Sequence, residues 1–132
     1  MLDTYDPFAA QLTDPQIIEI RFRNVEFLNN VGTQQNSRAG AIDAGSLAAV
    51  TLERCTFDSN RGTTAGAVYF EGQSLNVTDS VFISNVGQTS GGAIYCRSFS
   101  LDDQPNDSSS ARIINSTFTG NRVLRGDRKS VV

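Results

Sequence analysis

The residues that could carry acid–base chemistry in this chain are its carboxylates, because the sequence contains no histidine. Two carboxylates on one exposed face can act as general acid and base, or can hold a cation such as Ca²⁺. The acidic residues are scattered and do not recur at one repeated position; those considered are Asp43, Glu53, Asp58, Glu71, Asp79, Asp102 and Asp103. We therefore predict structural or solvated roles for them, and no catalytic residue, metal site or cofactor.

Two cysteines, Cys55 and Cys96, are the other reactive side chains. Two are too few for a fold held by a disulfide framework. Without histidine, a Ser–His or Cys–His nucleophile cannot form. The repeat alignment described next places the two cysteines in different inward columns, so both are predicted to be small buried residues rather than a disulfide.

Internal repeats indicate the elements that must position these side chains. Four segments end in Phe-x-x-Asn; their phenylalanines are Phe27, Phe57, Phe82 and Phe118, and their asparagines are Asn30, Asn60, Asn85 and Asn121. A second motif follows each of the first three segments and reads Ala39-Gly40-Ala41-Ile42, Ala65-Gly66-Ala67-Val68 and Gly91-Gly92-Ala93-Ile94. The chain therefore contains about three complete coils and a partial fourth.

The first half of each segment alternates apolar and polar residues, which is typical of a strand with one buried face. The parity then shifts, which predicts a bend at Asn24, Arg54, Asp79 and Asn115. The phenylalanines should form one internal column, and the asparagines should form a ladder of side-chain amide hydrogen bonds along the stack. In the second motif, inward positions fall at Ile42, Val68 and Ile94, and two residues later at Ala44, Phe70 and Cys96.

We predict an all-β, right-handed parallel β-helix at residues 17–122, with a polar loop insertion at about 98–110. Residues 1–16 are interpreted as an N-terminal cap or extension, and residues 123–132 as a truncated or disordered tail. The alternative, an antiparallel sandwich, would need Asn-Gly or Asp-Gly hairpin turns at short, regular intervals. Among three glycosylation sequons, only that of Asn106 lies in the polar loop, where it would be accessible.

Tyr69 and Tyr95 follow the second motif at equivalent positions, so they should stack outward on neighbouring coils, with Asp43 beneath them. The favoured interpretation is a cross-strand aromatic pair that stabilises the sheet by about 0.2–1 kcal/mol. The other interpretation is a two-aromatic strip that contacts a partner protein or the rings of a glycan.

The two alternating motifs resemble the repeats of the polymorphic outer-membrane protein family and of related right-handed β-helix proteins of the pectate-lyase-like class. The resemblance covers about residues 18–122. Ala39 and Ala65 stand where the pattern has Gly, and the last coil lacks the second motif. The resemblance implies a cell-surface or secreted location and an adhesive or structural use.

Charge and hydropathy limit the partners. With 11 basic and 14 acidic residues, the net charge is −3, which argues against nucleic acid as a partner. No apolar run approaches the roughly 18–20 residues that a transmembrane helix needs. The first residues contain no basic and apolar regions of the kind that form a signal peptide.

The scattered carboxylates and the resemblance favour a non-catalytic structural, adhesive or assembly-subunit module that presents coil faces and loops to a partner protein or glycan. The alternative is a fragment of a carbohydrate-active β-helix enzyme, a polysaccharide lyase or hydrolase. Carboxylates gathered on one sheet face within about 5–10 Å would favour the enzyme.

A bare stack of coils ends in open strand edges, which invite pairing. Residues 1–16, with Pro7 and Pro15, could cap the first edge, whereas the partial fourth coil has no evident cap. We therefore predict that a partner protein, or sequence outside this chain, covers the C-terminal edge.

Overall fold

The computed structural model describes residues 16–32, 34–97 and 109–124. These residues form four parallel sheets and no helix. Sheet I contains β1 (Ile18–Arg23), β4 (Ala48–Glu53), β8 (Ser74–Thr78) and β12 (Ser110–Ile114); sheet II contains β2 (Glu26–Leu28), β5 (Thr56–Asp58), β9 (Val81–Ile83) and β13 (Thr117–Thr119). Sheet III contains β6 (Arg61–Gly62), β10 (Val86–Gly87) and β14 (Arg122–Val123); sheet IV contains β3 (Ile42–Ala44), β7 (Val68–Phe70) and β11 (Ile94–Cys96).

Coils 2 and 3 each visit sheets I to IV in order, coil 4 is described as far as sheet III, and every strand pairs in parallel with its equivalent in a neighbouring coil. Coil 1 starts at β1, coil 2 at β4, coil 3 at β8 and coil 4 at β12. Coil 1 joins sheet III only through a bridge between Val31 and Arg61. The predicted all-β parallel β-helix is therefore confirmed. Within the described residues, no helix is long and apolar enough to cross a membrane.

The boundaries of the predicted segments can be compared with the strands only in part. Ser110 begins β12 and Val123 ends β14, so both lie in strands. The predicted cap up to residue 15, the loop at 98–108 with Asn106, and the tail from residue 125 lie outside the described residues.

Two bends per coil turn the chain from sheet I to sheet II and from sheet II to sheet III. The first bend lies at the predicted positions, where φ is +48° to +55°; its residues are Asn24, Arg54, Asp79 and Asn115. The second begins one residue before each ladder asparagine, at Asn29, Ser59, Ser84 and Gly120, with φ between +53° and +65°. This left-handed conformation reverses the side-chain parity, which explains the shift in the sequence pattern.

The core of the helix is built from columns of equivalent residues. The four motif phenylalanines stack with ring centroids 4.6 Å apart and planes within 5° of parallel. Beside them, the Nδ2 atom of each motif asparagine donates to the Oδ1 atom of the next at 2.9 Å, in three steps from Asn30 to Asn121. The same Nδ2 atoms of Asn60, Asn85 and Asn121 also donate to the carbonyl of the phenylalanine one coil earlier. Both columns fix the vertical register of the coils.

Glycine is required where sheet III turns into sheet IV. A Cβ atom on Gly66 would lie 1.9 Å from the carbonyl oxygen of Gly92, and one on Gly40 would lie 2.3 Å from that of Gly66. Successive coils therefore approach each other here more closely than any side chain permits.

The two cysteines differ in their surroundings. Cys55 is buried, but Cys96 is exposed, and the prediction that both are buried is wrong for Cys96. Cys96 is in register with Phe70, as the alignment requires, but β11 is the last strand of sheet IV among the described residues. Within the ranges that the structure describes, its side chain therefore has a covering coil on one side only.

Candidate functional site

The outer face of sheet IV brings together the two tyrosines singled out in the sequence. Tyr69 and Tyr95 are direct register partners on β7 and β11, and Asp43 on β3 is the partner of Tyr69 on the other side. The two rings stack with centroids 5.5 Å apart and an interplanar angle of 25°. Both tyrosines point away from the core because the strand alternates between inward and outward positions.

Arg38 covers the ring of Tyr69. Its guanidinium carbon lies 4.3 Å from the ring centroid, and only 4% of Tyr69 is exposed. A guanidinium at this distance is attracted by the negative face of the ring. Arg38 therefore shields Tyr69 from solvent on the outer face, and Tyr95, which is half-buried, is the tyrosine of this pair that a ligand can reach.

The same guanidinium joins two carboxylates from different coils. Arg38 donates from Nε and Nη2 to the two carboxylate oxygens of Asp43, at 2.9 and 2.7 Å, and from Nη1 to Oε2 of Glu71 at 3.1 Å. The hydrogen bonding of this guanidinium to the carboxylate of Asp43 is the main cause that raises the pKa of Arg38. The hydroxyl of Tyr69 donates to the same Glu71 oxygen at 3.1 Å.

Arg97 approaches the cluster from the C-terminal end. Its Nε atom lies 3.8 Å from Oε1 of Glu71, and its side chain is 63% exposed. The cluster thus holds two guanidinium groups and two carboxylates, so its formal charges balance. We call Arg38, Asp43, Tyr69, Glu71 and Arg97 the arginine–tyrosine cluster.

Both carboxylates of this cluster are held in charged hydrogen bonds. Both carboxylates accept hydrogen bonds from a guanidinium that stays protonated, so neither is arranged as an unpaired acid or base. Within the described residues, no group of three or more His, Cys, Asp or Glu side chains could hold a metal ion.

Sequence reasoning missed Arg38 and Glu71 as members of this cluster. Glu71 could have been found, because it follows Tyr69 by two residues and so shares its face of the strand. Arg38 lies in the turn before sheet IV, where residue spacing does not determine the direction of a side chain.

The other carboxylates considered in the sequence contact side chains outside the arginine–tyrosine cluster. Glu53 pairs with Arg23 at 2.9 Å and with Arg54 at 2.8 Å. Asp58 accepts a hydrogen bond from the hydroxyl of Ser59, and Asp79 accepts one from Nδ2 of Asn115. Asp102 and Asp103 lie outside the described residues.

The cysteine side chains form no disulfide. The Sγ atom of Cys55 lies 3.5 Å from the carbonyl oxygens of Phe22 and Glu53, as a weak donor within the core. Although Cys96 is exposed, neighbouring protein atoms displace enough water for burial to raise the pKa of its thiol. The thiolate, which is the nucleophilic form, is therefore disfavoured at neutral pH.

Comparison with known families adds one match. Residues 79–97 match the Chlamydia polymorphic membrane protein repeat. This segment runs from the bend at Asp79 through Phe82 and Asn85 to β11, so it contains both motifs of coil 3. No curated protein and no solved structure matches the chain significantly. The chain is a parallel β-helix repeat protein whose third coil is similar to the Chlamydia polymorphic membrane protein repeat.

Proposed function

We propose that the chain is a non-catalytic structural or adhesive module of a cell-surface assembly, which presents its coil faces and its C-terminal coil to a partner protein or glycan. One observation carries the proposal. Val77 and Ile113 are register partners in the same inward column, yet Val77 is 0% exposed and Ile113 is 41% exposed. An apolar residue in a core position gains its stabilisation only when another layer covers it.

The backbone of coil 4 supports the same proposal. The amide of Ser110 donates to Gln73, and the carbonyl of Ile114 accepts from Asp79, so both groups face coil 3. Since backbone groups alternate along a parallel strand, those of Ala111 and Ile113 face the opposite way. A row of such groups is a template for an added strand from a partner.

Self-association of the chain tests this proposal, because a second copy can bind to the open edge of coil 4 in place of the partner. We expect a concentration-dependent rise in mass by sedimentation velocity, together with slow hydrogen exchange at the amides of Ala111 and Ile113. Ile113→Arg should abolish both effects, because it places a charge on the open layer. Ile17→Arg is the matched control, because Ile17 is also exposed but lies at the other end of the stack. A monomeric chain with fast exchange at both amides would overturn the proposal.

The matched repeat supports a surface location, because its family is described as membrane proteins. Tyr95 is the contact we propose for a glycan or partner on sheet IV, since Arg38 covers Tyr69. Tyr95→Ala should remove binding of a neutral oligosaccharide such as cellotetraose, measured by isothermal titration calorimetry. Equal binding by the variant and the parent protein would exclude this contact.

A second candidate function has one observation in its favour. Asp43 and Glu71 share the guanidinium of Arg38, so two carboxylates lie together on one sheet face. Carbohydrate-active enzymes use two neighbouring carboxylates, and in this protein Arg38 would have to leave the pair before either carboxylate could act on a substrate. Turnover of polygalacturonate that is lost in both Asp43→Asn and Glu71→Gln would favour the enzyme. Absence of turnover in the parent protein leaves the module as the better account.

A further inference from the structure

The asparagine ladder has a direction along the stack. Asn60 donates from its backbone amide and from Nδ2 to Oδ1 of Asn85 in the next coil, at 3.0 and 2.9 Å. Asn30 donates in the same two ways to Asn60, and Asn85 donates in the same two ways to Asn121. All six ladder bonds therefore run from coil 1 towards coil 4.

This direction makes the two ends of the ladder complementary. Among the described residues, no group donates to Oδ1 of Asn30, although each later ladder oxygen accepts two hydrogen bonds. At the coil 4 end, the backbone amide of Asn121 and one hydrogen of its Nδ2 have no acceptor within the described ranges, since Nδ2 donates only to the carbonyl of Phe82. Coil 1 thus offers an acceptor, and coil 4 offers the two donors that such an acceptor receives in the inner coils.

The apolar columns also match at the two ends. Phe22 and Ile113 are the coil 1 and coil 4 members of one inward column, and Phe27 and Phe118 are those of another. Phe22, Phe27 and Phe118 are only partly buried, and Ile113 is 41% exposed. A coil 1 placed on coil 4 would set Ile113 on Phe22 and Phe118 on Phe27, so the ring stacking at 4.6 Å would continue from one chain to the next. Both end layers would then lose their contact with water, which is favourable for apolar side chains.

The strand edges fit in the same register. Backbone groups of Ala111 and Ile113 face away from coil 3, as described above. The amide of Ile18 donates to coil 2, so the backbone groups of Glu19 and Arg21 face away from coil 2. In a parallel pair with Ile113 beside Phe22, these four residues would exchange the hydrogen bonds that join every other pair of coils.

We propose that coil 4 binds coil 1 of a second copy of this chain, head to tail, so that the β-helix continues across the contact. The inference rests on the proposed function and names the partner of the open edge. Because the contact uses two different surfaces and does not close, successive copies add into a filament. Four coils at about 4.8 Å each give a rise of roughly 19 Å per copy. Two coil 4 ends that met each other would instead bring donor against donor in the ladder.

Two variants with one blocked end each test the proposal. Ile113→Arg blocks coil 4. Ile18→Arg blocks coil 1, because Ile18 stands in the inward column of Ala48 and is 58% exposed, so the variant can fold. In sedimentation velocity, the parent chain should form a series of oligomers, and each variant alone should stay monomeric. An equimolar mixture should form a dimer and nothing larger, because the free coil 4 of one variant docks on the free coil 1 of the other.

Ile17→Arg is the matched control. Ile17 precedes Ile18 by one residue and so points to the outer face, where a charge should leave assembly unchanged. Dimers formed by Ile18→Arg alone would overturn the inference but leave the proposed function standing, because they need only the coil 4 edge. A parent chain that stays monomeric would also overturn it, and would leave the edge to a different protein or coil 1 to the predicted cap at residues 1–16. The proposed function fails with it only if the amides of Ala111 and Ile113 also exchange fast.

Arg112 offers a variant that leaves the apolar layer intact. The same register places Arg112 directly beside Arg21 of the next copy, with Glu19 and Arg23 on its two diagonals. Like charges directly opposite each other weaken a strand pair. Arg112→Glu turns this into an opposite-charge pair and should tighten association about fivefold. The gain should shrink as salt rises.

Arg122→Glu is the control for that change of charge. Arg122 lies on sheet III, in the column that begins at Val31, so it would meet Val31 of the next copy and no charged side chain. Arg122→Glu should therefore tighten association far less. Equal tightening by the two variants, or weaker association of Arg112→Glu, would contradict the head-to-tail register.

Discussion

The inner and outer coils of this helix contain the same motifs in different surroundings. In coils 2 and 3, Phe57 and Phe82 are fully buried, whereas Phe27 in coil 1 and Phe118 in coil 4 are only partly buried. All four rings stack in one column at the same spacing. The difference shows that burial in a solenoid comes from having a neighbour on both sides, and that residue type alone does not supply it.

The asparagine ladder shows the same contrast in hydrogen bonds. Asn85 receives two hydrogen bonds at Oδ1 from Asn60, donates to Phe57 and donates to Asn121. Asn30 only donates within the ladder, through its backbone and Nδ2. An inner ladder residue is therefore bonded on both sides, while the end residue is bonded on one.

The largest effect that would test this comparison is expected from the phenylalanine column. Phe82→Ala should lower the free energy of unfolding by about 3–5 kcal/mol, because it leaves a cavity between two covered coils. Phe118→Ala should cost about half of that or less, since its ring is already partly hydrated. Urea denaturation followed by circular dichroism measures both. If Phe82→Ala does not fold, Phe82→Leu and Phe118→Leu give the same comparison, and equal costs at the two positions would contradict it.

The asparagine ladder should give the next effect. Asn85→Ala leaves the carbonyl of Phe57 and two donors of Asn60 without their partner, each at about 1–3 kcal/mol when buried. Asn30→Ala removes bonds at an exposed end, where water replaces them, and should cost under ~1 kcal/mol. Thermal unfolding of both variants would measure this difference. A cost for Asn30→Ala as large as that for Asn85→Ala would mean that coil 1 is covered like an inner coil.

A smaller effect is expected from the glycines. Gly66→Ala forces the backbones of coils 2 and 3 apart and should cost about 1–3 kcal/mol. Gly45→Ala is its control, because a Cβ atom there meets nothing within 4 Å. The melting temperatures of the two variants should differ by several degrees. Unchanged stability in Gly66→Ala would show that the stack can open at this corner without loss.

The smallest expected effect concerns the reactivity of the two thiols, and its test needs no mutation. Cys96 at the end of sheet IV should react with iodoacetamide in the native protein, and Cys55 in the core should react only on unfolding. Because burial raises the pKa of Cys96, its reaction should be slower than that of an unfolded thiol at pH 8 and should accelerate at higher pH. Mass spectrometry of the digest assigns each label. Protection of Cys96 equal to that of Cys55 would indicate that something covers this edge.

The inner parts of the fold were predictable because every coil repeats them. The period of two in sheet I, the parity shift at Asp79 and the recurrence of Phe82 and Asn85 each appear in four copies. These features predicted the strands, the first bend and the two columns without knowledge of any contact.

The exposure of residues in the end coils and the contacts of the arginine–tyrosine cluster were harder to predict from the sequence. The alignment placed Cys96 in an inward column, but column position does not state whether a further coil covers it. Arg38 approaches Glu71 across 33 positions of sequence from an irregular turn. A single sequence carries no periodic signal for such a contact.

The unequal lengths of the coils show where this protein accepts inserted residues. Ladder asparagines are separated by 30, 25 and 36 residues, yet their hydrogen bonds have the same length. The bends before and after sheet II keep their length in every coil, and the extra residues enter only at the two corners that flank sheet IV. The two bends beside sheet II therefore do not accept insertions, because they set the register of the coils, whereas the two corners that flank sheet IV do. Mutation can lengthen these two corners and change their sequence while the stacked strands keep their pairing, so the surface loops can change without a change in the core.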